Sequence, residues 1–244
     1  MTPEQSEARP ARAAPVALAA DHDDLPEWFR AFAALPAGVR VEQLSRFSPP
    51  EGARPRNSAV LILLGEGERG PDVLLTERAA TLRAHAGQVS FPGGGLDPQD
   101  AGPEDAALRE AAEETGLDPD GVRVCGRLPD LYLPVSDYLV TPVLAWWRVP
   151  SPTSAVDPAE VARAVRVPLA ELVDPAHRFQ VRHPSGFVGP AFRAGGLFIW
   201  GFTAGLLSRV LELAGWERPW DTSRMEPIPE GHDGARPGPT VRLR

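Results

Sequence analysis

The chain has no lysine, one cysteine and no long apolar run. All 25 of its Lys/Arg positions are arginine, against 33 acidic residues, for a net charge of −8. That sign repels a phosphate backbone, so no nucleic-acid partner is expected, and a phosphate-bearing ligand needs locally placed arginine or metal. The lone Cys125 excludes an internal disulfide and a cysteine-built zinc site. It reads as a small buried apolar residue, compatible with a reducing, cytoplasmic setting. No stretch approaches the roughly 18 apolar residues of a membrane-spanning helix, so no membrane partner is expected. The first residues lack the apolar core of a secretory signal. Nothing in the composition sets an oligomeric state.

What is present suffices for a substantial core, with 244 residues of which 43% are hydrophobic. Residues 1–23 are rich in Ala, Pro, Arg and acids without periodicity and are expected to form a mobile tail. Residues 24–56 are expected to hold a helix capped by Asp24, with Leu25, Phe29, Phe32 and Leu35 at helical spacing, then a proline-marked connector. The main domain is expected over 57–218. Ala59–Leu64 is apolar on both faces, as in a central strand. Residues 65–71 read as a turn and 72–78 as the hairpin partner. Strands are expected over 88–91, 122–128, 138–149 and 197–200, with Pro142 marking an edge or bulge. Residues 179–182 and 187–188 read as a hairpin. Helices are expected over 157–164, from 167, and over 203–214. Residues 219–244 are proline- and glycine-rich and read as a loose tail. Strands interleaved with helices imply an α/β sandwich.

The most informative stretch is Ser90–Leu117. An apolar run ends in Pro92-Gly93-Gly94-Gly95, read as a turn, and a polar loop leads to a helix from about Pro103 to a stop at Gly116. Glu110, Glu113 and Glu114 lie at i, i+3 and i+4 and share one face. Like charges so placed cost a few tenths of a kcal/mol per pair, on the order measured for helical pairs. A glutamate cluster is commonly a solvated face. The same three carboxylates also suit a divalent cation with hard oxygen ligands, Mg²⁺ or Mn²⁺.

This stretch resembles the Nudix box: Gly, five residues, Glu, seven residues, Arg-Glu, an aliphatic, any residue, Glu-Glu, any residue, Gly, an aliphatic. The second half matches as Arg109-Glu110-Ala111-Ala112-Glu113-Glu114-Thr115-Gly116-Leu117. The first half departs. Five residues on from Gly94 stands Asp100, whereas the family spacing from Gly95 ends on Ala101. The loop carries one extra residue, and the first acidic position is open between these two. The resemblance implies a mixed sheet between helices and metal-dependent pyrophosphate hydrolysis. It implies Glu110, Glu113 and Glu114 as metal ligands, with Glu113 or Glu114 as catalytic acids or bases, and Arg109 as the residue that orients a glutamate. Family members also take a base from a distant loop, for which Glu160 is the best candidate outside the box, although a solvated helix face is the readier explanation of it.

Upstream, Leu74-Leu75-Thr76-Glu77-Arg78 and Leu82-Arg83-Ala84-His85-Ala86-Gly87-Gln88-Val89-Ser90-Phe91-Pro92-Gly93-Gly94 are similar to the signature preceding the box in coenzyme A pyrophosphatases of this superfamily. Ser136–Pro142 and Trp200–Ala204 are similar to the same group. That resemblance implies cleavage of coenzyme A to 4′-phosphopantetheine and adenosine 3′,5′-bisphosphate. Arg78, Arg83 and His85 are then candidates for the substrate's extra phosphate, with Gly93 and Gly94 as backbone contacts. Phe91, Trp146, Trp147 and Trp200 are candidates for stacking on adenine, or core aromatics. The alternatives are hydrolysis of ADP-ribose, dinucleotides or oxidised nucleotides, and a non-catalytic nucleotide sensor.

Overall fold

The computed structural model describes residues 24–82 and 85–229. The expected tail over 1–23, Arg83 and the end of the C-terminal stretch lie outside the described residues.

Three short helical pieces come first: α1 (Glu27–Ala33), α2 (Leu35–Gly38) and α3 (Val41–Leu44). Phe29, Phe32 and Leu35 are buried, as their spacing predicts. Asp24 does not cap the helix; Pro26 holds that position without a side-chain bond. Pro36 opens a new turn instead of continuing α1, because it has no N–H to give.

The main sheet is built on β1 (Arg56–Gly67) and β2 (Gly70–Arg78), an antiparallel hairpin. Gly67 pairs with Gly70, so the turn is only Glu68-Arg69, much tighter than the expected 65–71. Then come β3 (Val89–Ser90), β4 (Gly93–Gly95), α4 (Pro103–Thr115), β5 (Val122–Arg127), β6 (Leu131–Leu133) and β7 (Tyr138–Trp147). β8 (Val161–Pro168) and α5 (Leu169–Val173) follow. The strand order is β3-β2-β1-β7-β5, with β4 on β1, β6 on β7 and β8 on β2. β1 and β7 run parallel while the other pairs in this sheet are antiparallel, so the sheet is mixed.

β1 is the central strand, buried on both faces. Ala59, Leu61 and Leu63 face one side, where Ala106, Ala107 and Ala111 of α4 pack. Ile62 and Leu64 face the other, against Phe29 and Phe32 of α1. On that second side also lie β9 (Arg178–Arg182), β10 (Val188–Ala194), β11 (Leu197–Ile199) and α6 (Gly201–Leu213), the last through Leu207 and Leu211. This is the expected α/β sandwich.

Several expectations are corrected. The Gly93–Gly95 turn is a strand, paired with Ser58–Val60 of β1. Residues 157–164 are not a helix: Asp157–Glu160 is a turn, and Val161 opens β8 against β2. Its alanines, Arg163 and Glu160 favour helix, but the β-branched Val161, Val165 and Val167 and the open edge of β2 prevail. Pro142 marks neither an edge nor a bulge. It lies within interior β7, opposite Val60, where the antiparallel partner changes from β5 to β6, so its missing N–H interrupts no ladder.

A strand that the sequence did not signal follows residues 197–200. β12 (Met225–Glu226) pairs parallel with β9, completing a second sheet in the order β11-β10-β9-β12. The described start of the segment expected to be loose, residues 219–229, is anchored at the fully buried Arg178. Its Nη1 lies 2.8 Å from Glu217 Oε1, its Nη2 donates to Ser208 Oγ at 2.7 Å, and Trp220 packs 4.6 Å from the guanidinium carbon.

Candidate active site

α4 is placed by its two faces. Small alanines on one side let it lie close on β1, and Gly116, with φ 69°, ends it in the left-handed conformation. The other side carries the acidic ridge, and β4 runs beneath it. Each of the first two glycines of β4 answers a specific close approach. A Cβ on Gly93, where φ is 152°, would run into the Ala59 carbonyl and sit 2.6 Å from Val60 Cα. A Cβ on Gly94 would lie 2.5 and 2.6 Å from the two carboxylate oxygens of Glu110. The glycines are thus required by contact with β1 and with the ridge, not by a reversal of the chain.

Arg109 organises the acids on the loop side. Its Nε and Nη2 donate to the two oxygens of Asp100 at 3.0 Å each. Nη1 donates to Glu110 at 2.9 Å and to Glu113 at 3.2 Å, and Nη2 also to the Gly95 carbonyl at 3.2 Å. Asp100 chiefly, and Glu110 after it, raise the Arg109 pKa further above its ordinary range. Of the two positions left open by the loop, Asp100 is the one turned inward, its side chain only 5% exposed. The extra loop residue is accommodated by a local turn in which the Asp97 N–H donates to Asp100 Oδ2 at 2.7 Å.

The three box glutamates are not equivalent. Glu113 is 61% exposed and is held by Arg109. Glu110 is partly covered. Glu114 is buried. Burial pushes its pKa up to about 7, and the charges of Glu110 and Glu160 push the same way. The Gly93 N–H, which donates to Glu114 Oε2 at 3.2 Å, and the charge of Arg78 act in opposition. Glu110, Glu114, Glu160 and Arg78 therefore share one electrostatic neighbourhood.

Glu160 reaches it from an element different from the expected helix. It ends the turn before β8, and its carbonyl accepts from the Ala79 N–H at 2.9 Å beside the end of β2. Arg78 closes β2, and its Nε is buried without a hydrogen-bond partner among the described residues. His85 stands on an exposed loop at φ 57°, with Nδ1 2.8 Å from Gln88 Oε1. Among the described residues no three acidic, His or Cys side chains are already gathered at metal-binding spacing.

The stacking candidates are occupied by packing. Phe91 is buried in the core. Trp146 lies against Phe29, Trp147 under Arg166, and Trp200 on His183. A slot of about 180 Å³ that went unread in the sequence opens beside β4, lined by the three glycines, Ser58, Val60, Leu133, Tyr138 and Val140. Its signal was the shared face of β1 and β7, visible only once Ser58 is known to pair with Val140.

Comparison with known proteins matches the NUDIX domain family over residues 54–185. The chain is similar to the uncharacterized Nudix hydrolase NudL of Cronobacter sakazakii, 41% identical over 175 residues, 67% of this chain and 85% of that protein. It is similar to the same-named protein of Escherichia coli K12, 39% identical over 159 residues, 62% of this chain and 79% of that one. Among solved structures it is similar to RenU, a Nudix hydrolase from M. smegmatis, with TM-score 0.46 and 21% identity over 66% of this chain and 86% of that chain.

Two outcomes follow from this geometry. Gly93→Ala should cost about 1–3 kcal/mol of stability, since backbone must move. Gly94→Ala displaces only the end of the flexible Glu110 side chain. It should leave urea stability within about 1 kcal/mol while lowering catalytic efficiency about 10²-fold, the scale of a misplaced catalytic group. Equal stability losses in the two variants would contradict the assignment. The second outcome concerns pH. In the folded chain without metal, Glu114 keeps its proton to about pH 7, against an ordinary glutamate value of 4.5. Between those values the folded state binds more protons than the unfolded one, so this contribution is full below 4.5 and is lost as pH rises through 7. In chelator, Glu114→Gln should match wild-type stability at acid pH and exceed it by about 3 kcal/mol at pH 8. Parallel urea profiles for the two proteins would refute this.

Proposed function

The chain belongs to the NUDIX domain family, and on that premise we propose that it is a divalent-metal-dependent pyrophosphatase acting on coenzyme A and its derivatives, releasing 4′-phosphopantetheine and adenosine 3′,5′-bisphosphate. The observation that carries the reading is the convergence of Glu110 and Glu160 on the buried Glu114, with its pKa raised to about 7. Carboxylates so placed repel one another, and a hard cation relieves that repulsion with the oxygen ligands Mg²⁺ or Mn²⁺ prefers. The donor set therefore fits the metal. Glu110 and Glu114 would be its main ligands in this reading, with Glu113 a further carboxylate on the same ridge. When bound, the cation neutralises the diphosphate and acidifies a coordinated water.

The remaining roles belong to the chain. Arg109 is a positioning residue, since it joins the glycine strand, Asp100 and two box glutamates in one network. Arg78 offers a cation beside Glu114 with one buried N–H unanswered, suited to a phosphoryl oxygen. Gly93 and Gly94 let the diphosphate approach the backbone. Glu160, exposed and outside the Arg109 network, takes the proton of the attacking water as the new P–O bond forms and the bridging P–O bond breaks. The substrate choice is supported by the signature from Leu74 to Gly94, which runs from β2 through β3 into β4 and so leads directly to the ridge. His85 and Arg83 remain substrate-binding candidates through that signature alone.

Steady-state turnover with Mg²⁺ tests the reading. Catalytic efficiency on coenzyme A should exceed that on ADP-ribose by about tenfold or more, the scale of one well-placed charged contact, and chelation should abolish it. Glu114→Gln should lower kcat about 10²-fold or more with circular dichroism unchanged. Faster hydrolysis of ADP-ribose would reject the substrate, and turnover in chelator would reject the metal role.

A further inference from the structure

The slot beside β4 has a chemistry unlike the ridge. Its walls are Val60, Leu133, Tyr138, Val140, Ser58 and glycine backbone, with no ionisable acid or base except the tyrosine phenol. Such a lining suits an uncharged ring and is poor for a diphosphate. At about 180 Å³ it is smaller than the roughly 300–1,000 Å³ of pockets that enclose a whole drug-sized ligand, so it holds one part of a substrate. The slot lies on the Ser58 and Val60 face of the sheet and α4 on the Ala59 face, and the two meet at β4, where the Gly93 N–H donates to Glu114 and the Gly95 carbonyl accepts from Arg109, so a substrate part in the slot reaches the ridge around that strand.

A cation stands at the rim. Arg56 pairs with Tyr138 in the parallel register of β1 and β7, and it lies two residues before Ser58, so it shares the slot's face. Its guanidinium carbon lies 4.1 Å from the Tyr138 ring centroid, and Nη2 donates to the Ser136 carbonyl at 3.1 Å. It is exposed, and the ion pairs found among the described residues involve other arginines. The stack and the single bond fix the fork while leaving donors free, which lowers the entropy cost of gripping an anion. The other arginines around the site are engaged differently: Arg109 is occupied by Asp100 and the glutamates, and Arg78 acts on Glu114.

We propose that the slot receives the nucleobase of the substrate and that Arg56 binds a phosphate on the adjoining ribose, making Arg56 a specificity-determining residue. The proposal rests on the pyrophosphatase reading above and adds to it the means of telling a 3′-phosphorylated nucleotide from one without that group.

Calorimetric binding of adenosine 3′,5′-bisphosphate and of adenosine 5′-monophosphate to the full chain with Mg²⁺ tests it without turnover. Wild type should favour the bisphosphate about tenfold, the scale of a charge-assisted contact. Arg56→Ala should erase the preference, weakening the bisphosphate about tenfold and the monophosphate less than about twofold. Arg56→Lys should fall between, having charge without the planar fork. Leu133→Trp, at a half-exposed strand end where the thermal melt should be unchanged, should weaken both ligands about fivefold or more by filling the slot. An Arg56→Ala protein that keeps the preference, or that loses both ligands equally, overturns the phosphate role. Unchanged binding in Leu133→Trp overturns the base site. Coenzyme A turnover by wild type separates the two ideas: turnover without the preference sinks this inference alone, and the preference without turnover sinks the broader reading alone.

Discussion

One crowded carboxylate constrains this site. Glu114 is buried under the charges of Glu110 and Glu160, and its compensation in the polypeptide is one backbone N–H and the field of Arg78. A carboxylate in that position is costly when ionised, because desolvation and like charge act together. In the proposed reading a cation offsets that cost, and the surrounding architecture sets the carboxylates along one ridge.

That architecture is local and cheap in residues. Alanines bring α4 down onto β1, and glycines 93 and 94 remove the Cβ atoms that would otherwise hold the helix away from β4. Arg109 then ties Asp100, Glu110, Glu113 and the Gly95 carbonyl into one cluster. Several charge-assisted bonds to one planar group restrict the ridge more than isolated surface pairs do. The second ring of the site is assembled from distant sequence: β8 brings Glu160 beside Arg78 because its strand pairs with β2.

The sequence made legible what local chemistry decides. The start and stop of α4, the central β1 and the glutamate ridge follow from Pro103, Gly116, unbroken apolar residues and helical spacing. What was missed depends on pairing. Val161–Pro168 carries helix-favouring residues and becomes a strand because its valines meet the edge that β2 offers. Met225 joins a sheet because buried Arg178 anchors Glu217 and Trp220 ahead of it. Pro142 looked like an edge marker until its place between β5 and β6 was known. Asp100 needed a three-dimensional answer, since spacing alone could not choose between it and Ala101. Glu160 was read as a candidate base, but on an element that does not exist.

The most direct measurement is an anomalous difference map from crystals of the protein soaked in Mn²⁺ near neutral pH. The account predicts a peak in coordination contact with both Glu110 and Glu114, over the Gly93–Gly95 strand. Manganese bound elsewhere, with those two carboxylates bare, would contradict it.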